Sequence, residues 1–144
     1  MRIELDSLHL HFELDGSDFT AAGEASSEVK RVLRQLGFDS DVIRRCAICM
    51  YEGEMNIFLH ASGGSADVYI EPSEIILELI DSGPGIPDID LAMQEGYSTA
   101  SQEVRELGFG AGMGLPNMKK YSDEMIIDSV VGVGTAIFMS ILVK

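Results

Sequence analysis

The run Ile75-Ile76-Leu77-Glu78-Leu79-Ile80 passes directly into Asp81-Ser82-Gly83-Pro84-Gly85-Ile86-Pro87. A short, nearly all-apolar segment that stops at turn-forming residues reads as a strand, and its low polarity makes it a central one. The segment before it, around Ala66 to Ile70, reads as a second strand joined to it by the turn at Pro72-Ser73. A sheet is therefore set in the middle of the chain, and the remaining elements have to extend or cover it.

Leu8, Leu10, Phe12 and Leu14 alternate with His9, His11 and Glu13, the period-two pattern of a strand with one buried face. His9 and His11 then point outward as solvated strand residues, not as a metal pair. From Ser17 to Leu36 apolar residues recur at helical spacing, and Gly37 suits a left-handed helix end. A second helix is expected from Asp39 or Ser40, either of which can cap it, to about His60. Helical spacing returns weakly at Ile89 to Met93 and again from Gly114 to Tyr121. Strands near Met125 to Val130 and Thr135 to Val143, separated by Val131-Gly132-Val133-Gly134, close the chain. Helices and strands segregated in blocks predict an α+β two-layer sandwich: a mixed, mostly antiparallel sheet with helices on one face. The other face is left to solvent or to a partner, and a homodimer stays open with no particular surface assigned to it. With 144 residues and no linker, low-complexity tract or repeat, residues 1–144 are expected to form one domain.

The chain carries 24 acidic and 10 basic residues, a formal charge of -14, and such a surface repels phosphate backbones and anionic headgroups. Nucleic acid and membrane are thereby disfavoured as partners. The first residues lack a basic flank and an apolar stretch, and nowhere do about 18 apolar residues run together. A cytoplasmic location is the expectation. Cys46 and Cys49 form a C-x-x-C inside a helical pattern, away from the strand-to-helix junction of a redox motif and with no second pair for zinc. They read as two reduced, buried cysteines.

Three groups of residues carry chemistry. On the second helix Glu52, Asn56 and His60 are spaced by four and share one face of an otherwise apolar stretch. A carboxylate and a carboxamide one turn apart can hold a hydrated Mg²⁺, which takes oxygen ligands and keeps waters, and can position a nucleophile; a solvent-facing polar stripe is the alternative. Asp81 at the end of the apolar strand is followed by a turn whose Gly83 and Gly85 let the backbone approach a ligand, so its carboxylate can accept from an exocyclic amine. Gly108-Phe109-Gly110-Ala111-Gly112-Met113-Gly114 leads into a helix through Leu115-Pro116-Asn117. Exposed amides at a helix start favour phosphate oxygens. The run is not a dinucleotide fingerprint, because G-x-G-x-x-G from Gly108 or Gly110 would need glycine at Met113 or Leu115. It is not a Walker loop, for no Gly-Lys-Ser/Thr occurs.

In order, Glu52-x-x-x-Asn56, Asp81-x-Gly83-x-Gly85, the Gly108 to Gly114 run and Gly134-Thr135 resemble the N, G1, G2 and final threonine motifs of the Bergerat-fold (GHKL) ATPases, the superfamily of gyrase, chaperone, mismatch-repair and histidine-kinase ATPases. Within it the chain resembles the small serine/threonine kinases of bacterial sigma-factor regulation, particularly the switch kinase of stressosome scaffolds. The residues behind this are Ala92-Met93-Gln94-Glu95-Gly96-Tyr97-Ser98-Thr99, Gly112-Met113-Gly114-Leu115-Pro116-Asn117-Met118-Lys119-Lys120 and Ser122-Asp123-Glu124-Met125.

The resemblance implies ATP and Mg²⁺, with Asn56 as the metal ligand and Glu52 as the base for the attacking hydroxyl. It implies that Asp81 binds the adenine amine near Gly83, Gly85 and Thr135. Gly108, Gly110, Gly112, Gly114 and Leu115 would lie over the phosphates as a lid. The acceptor would be a hydroxyl on a separate protein, a sulphate-transporter and anti-sigma-antagonist (STAS) domain. The alternative is a nucleotide-dependent module that binds a sigma factor or other regulator without phosphotransfer. A sensor histidine kinase piece is poorly matched, since no dimerisation helix with a phosphoacceptor histidine precedes the motifs. Two departures stand out. Ala100 to Leu107 is longer and more charged than the lid of close relatives, which bears on any role of Arg105. Glu54 stands where relatives often carry a basic or neutral residue, which points to a changed partner surface or local charge.

Overall fold

The structure is a computed structural model, and it describes residues 8–15, 21–61, 63–83, 85–86, 93 and 114–143. Among the described residues eight elements follow in order: β1 (Leu8–Asp15), α1 (Glu24–Gln35), α2 (Ser40–His60), β2 (Gly63–Ile70), β3 (Glu74–Asp81), α3 (Gly114–Tyr121), β4 (Glu124–Val130) and β5 (Gly134–Leu142). The strands form one sheet in the order β1-β2-β3-β5-β4, and all four pairings are antiparallel. The apolar strand β3 is central, as its composition requires. Its turn from β2 is closed by reciprocal backbone hydrogen bonds between Glu71 and Glu74. The expectation of a mixed, mostly antiparallel sheet is corrected in its first part: among the described strands every pairing is antiparallel.

Alternation divides the sheet into two faces. Ile75, Leu77 and Leu79 of β3, Ala66, Val68 and Ile70 of β2, and Ile137, Met139 and Ile141 of β5 are buried beneath the helices. Burying each of the larger side chains among them contributes on the order of 1.5–3 kcal/mol, so this face holds the layers together. The opposite face carries His9, His11, Asp67 and Glu78 beside half-buried Ile76 and Phe138 and exposed Ile80 and Ile126.

Helix α2 lies over the sheet and buries Cys46, Cys49, Met50 and Ile57, while α1 packs on it through Ala25, Val29 and Leu33 at intervals of four. Asp39 caps α2, its carboxylate accepting the Asp41 N–H. Gly37 ends α1 with φ +83°, as its glycine suggested. The start of α1 differs from the sequence expectation: the helix begins at Glu24, because Gly23 sits in the left-handed region at φ +99° and breaks helical continuity with what precedes it. Arg45 ties α2 to the far sheet edge, donating to Asp123 Oδ2 at 3.1 Å and to the Leu142 carbonyl at 3.1 Å. The Asp123 carboxylate also accepts the Leu142 N–H at 2.7 Å. Among the described residues no helix is long and apolar enough to cross a membrane.

Candidate functional site

Asp81 closes β3, and in the β3–β5 register its Cα partner is Thr135. Asp81 Oδ1 accepts the Gly83 N–H at 2.9 Å and the Thr135 N–H at 3.3 Å, so backbone amides of two segments fix the carboxylate. Thr135 is buried, and its hydroxyl lies 2.9 Å from Ser129 Oγ. Ser129 in turn accepts the Ile86 N–H at 2.7 Å and donates to the Gly134 carbonyl at 3.3 Å. A chain of polar contacts thus links the turn after Asp81 to both strands of the last hairpin. Two glycines make the crowding tolerable. At Gly85, φ +82°, a Cβ would stand 2.6 Å from the Val130 carbonyl oxygen, and at Gly134, φ +150°, 2.1 Å from the Asp81 carbonyl oxygen. The turn residues and the final threonine, 54 positions apart in sequence, are therefore one structure.

The second group lies on α2. Glu52 and Asn56 are half-buried on one face, as their spacing implies. Gly53 brings the helix down onto β3: a Cβ there would come within 2.8 Å of Leu79 Cδ2, two residues before Asp81. Asn117 of α3 donates from Nδ2 to Glu52 Oε2 at 2.8 Å. Leu115 and Met118 are buried beside it, and the Met118 carbonyl faces Cys49 Sγ at 3.7 Å, one turn before Glu52. Gly114 opens α3, and among the described residues no atom beyond its chain neighbours and its own helix backbone lies within 4 Å of where its Cβ would be. Gly108, Gly110 and Gly112, with Arg105 and the Ala92 to Thr99 segment apart from Met93, lie outside the described residues, as does the side chain of His60.

Sequence reasoning missed three residues here. Asn117 was visible only as part of a motif, although it follows the glycine run at the start of a helix. Ser129 could have been found from the strand register, which sets it opposite Thr135. Glu54, a departure that points to a changed partner surface or local charge, is 1% exposed, which leaves the local effect and not a place on a surface. Its two oxygens accept the Ala25 and Ser26 N–H groups at 3.1 Å each and thereby cap α1, whose own N-cap Gly23 has no side chain to do so. The buried cysteines are free, as expected, and burial pushes each thiol up to about 12. His9 and His11 do face outward, and both bond the same Asp67 oxygen. Among the described residues no group of three or more His, Cys, Asp or Glu side chains is arranged to hold a metal ion.

The profile of the histidine kinase-, DNA gyrase B-, and HSP90-like ATPase family matches residues 43–144. The chain is 37% identical over 114 residues to the serine/threonine-protein kinase RsbT of Bacillus subtilis (strain 168), covering 75% of this chain and 78% of that protein. It is 34% identical over 101 residues to the anti-sigma F factor of Thermoanaerobacter sp. (strain X514), covering 70% of this chain but 63% of that factor. The solved RsbU and RsbW domains of Rv1364c from Mycobacterium tuberculosis superpose with a TM-score of 0.64 at 16% identity, over 95% of this chain and 33% of that one, a likeness of fold. The expected α/β sandwich is thus the fold of a known family, and the chain belongs to the histidine kinase-, DNA gyrase B-, and HSP90-like ATPases, as a protein serine/threonine kinase.

Proposed function

We propose that this kinase transfers the γ-phosphate of ATP to a serine or threonine hydroxyl of a STAS-type partner in a cytoplasmic bacterial signalling switch. The observation that carries the reading is the placement of Glu52 and Asn56 on a helix seated, at Gly53, against the strand that ends in the backbone-anchored Asp81. Asp81 has one oxygen fixed by Gly83 and Thr135, which orients the other toward the exocyclic amine of adenine. Gly83 and Gly85 let the turn lie close to the base, with Thr135 beneath it. The amides of Gly108, Gly110, Gly112, Gly114 and Leu115 serve the phosphates at the start of α3. Glu52 takes the proton of the acceptor hydroxyl as its oxygen attacks in line.

The donor set also suits Mg²⁺ in a particular way. With Asn56 offering one hard oxygen and no three-residue ligand cluster among the described residues, the ion would be held by Asn56, water and the nucleotide's own phosphates. When bound, it would neutralise charge on the phosphates. Labelled ATP, magnesium and recombinant STAS domains, mixed with wild type or with Glu52→Gln, test the reading. Label should reach a STAS domain with wild type and fall to a slow residual rate with Glu52→Gln while ATP binding persists. The match to the anti-sigma F factor supports a second reading, nucleotide-dependent capture of a sigma factor. Its signature is a sigma factor retained only with ATP, with every STAS domain left unlabelled.

A further inference from the structure

Glu52 has three rotatable bonds, and a general base that swings freely spends little time aimed at its proton. Among the described residues, its hydrogen-bond partner is a side chain from another element, Asn117, at 2.8 Å. Asn117 is itself poorly placed to move. It lies between Leu115 and Met118, which are 6% and 0% exposed and dock α3 onto α2. Its carboxamide stands on a short stem with two rotatable bonds. The donor must be Nδ2, because an ionised carboxylate only accepts. A bond to Oε2 fixes the plane of the carboxylate and leaves Oε1 for another donor.

Resting on the phosphotransfer reading above, we propose that Asn117 is a positioning residue for Glu52, holding Oε2 so that Oε1 meets the acceptor hydroxyl. In the step itself the hydroxyl proton passes to Glu52 Oε1, the acceptor oxygen bonds the γ-phosphorus, and the bond to the bridging oxygen breaks to leave ADP. Asn117 exchanges no proton and touches no reacting atom. Its effect falls on turnover, not on nucleotide binding, because it acts through the base and not on the base-binding end at Asp81.

The test uses the full chain and a STAS domain that wild type labels. Asn117→Ala should lower turnover at saturating Mg·ATP on the order of 10- to 100-fold, the usual loss when a reacting group is misplaced by about an ångström. The Mg·ATP dissociation constant from calorimetry should stay within about twofold on the same view. Asn117→Asp has the same shape without the donor and should lose at least as much, whereas a packing role would spare it. In a Glu52→Gln background, Asn117→Ala should add less than about a twofold loss, since residues acting as a unit are not additive. Full turnover in both Asn117 variants, or a multiplicative loss in the double variant, overturns the role of Asn117 alone. Wild type that labels no STAS domain overturns the phosphotransfer reading and this role with it. If Asn117→Ala does not fold, the isosteric Asn117→Asp carries the same comparison.

Discussion

Glu54 Oε1 accepts the Ser26 N–H at 3.1 Å across 28 residues of sequence, while its other oxygen takes the Ala25 N–H. The helix that carries Glu52 therefore also closes the N-terminus of α1. A buried carboxylate at a helix N-terminus is favoured by the macrodipole and by two charge-assisted bonds. Its removal leaves two amides without partners in a buried place. Glu54→Ala is expected to cost about 2–4 kcal/mol of unfolding free energy, and Glu54→Gln, which keeps one acceptor, roughly half of that. Urea titration of both variants checks the order; equal stability of all three proteins would remove Glu54 from this role.

The same helix buries Cys46 and Cys49, both 0% exposed, and burial pushes their thiols up to about 12. A thiolate is the reactive species, and at about pH 8 almost none exists in the folded chain. Ellman's reagent should modify neither cysteine in native protein on the timescale on which it modifies both in denaturant. Adding an oxidant should leave melting and phosphotransfer unchanged. Rapid native labelling of one cysteine would show that α2 opens locally.

The fold was legible where periodicity was strong. Helix α2 was bounded by its cap at Asp39 or Ser40, the strands by alternation and turn residues, and β3 was marked as central by its apolar run. Loop chemistry also spoke: Asp81-x-Gly83-x-Gly85 looked like a ligand turn, and the structure joins it to Thr135 through the register of β3 and β5. What spacing could not show was pairing between distant elements. The Glu54 cap on α1 and the Asn117 contact with Glu52 depend on how helices cross, which no local pattern encodes. Glu54 in particular pointed to a changed partner surface or local charge and not to a helix cap, because carboxylates are seldom buried unless partnered, and here the partners are backbone amides that a sequence does not display.

On the outer sheet face, His11 bonds Asp67 through Nδ1 at 2.8 Å and Glu13 through Nε2 at 2.7 Å. Only the imidazolium has two N–H donors, so the bond to Asp67 first and that to Glu13 second raise the His11 pKa, and His11 lowers that of Asp67. A raised folded pKa gives stability that is complete below the unfolded value of about 6.5 and is lost as pH climbs through the folded value. The lowered Asp67 value works oppositely, its share being lost as pH falls through it. The contribution is thus largest between about pH 4 and 6.5. Melting temperatures of wild type and His11→Gln should differ at about pH 5.5 and converge by about pH 9. Added salt should narrow the gap at the lower pH, because the group is exposed. A gap that grows with pH would contradict the pairing.

On the proposal that Asp81 reads the adenine amine, Asp81→Asn should separate the fold from recognition. The carboxamide oxygen can take the place of Oδ1 and keep the bonds from Gly83 and Thr135, so the melting temperature should change little. The NH₂ group then occupies the position of Oδ2 and presents a donor where the proposed function calls for an acceptor to the amine of adenine. ATP affinity should fall about 10- to 100-fold, the effect of one lost bond together with an unpaired polar group. Guanine carries a carbonyl in place of that amine, so the ratio of GTP to ATP affinity should rise in the variant. Calorimetric titration of wild type and Asp81→Asn with both nucleotides measures the ratio directly. A uniform loss for both, with no change in ratio, would mean that Asp81 supports the turn without reading the base.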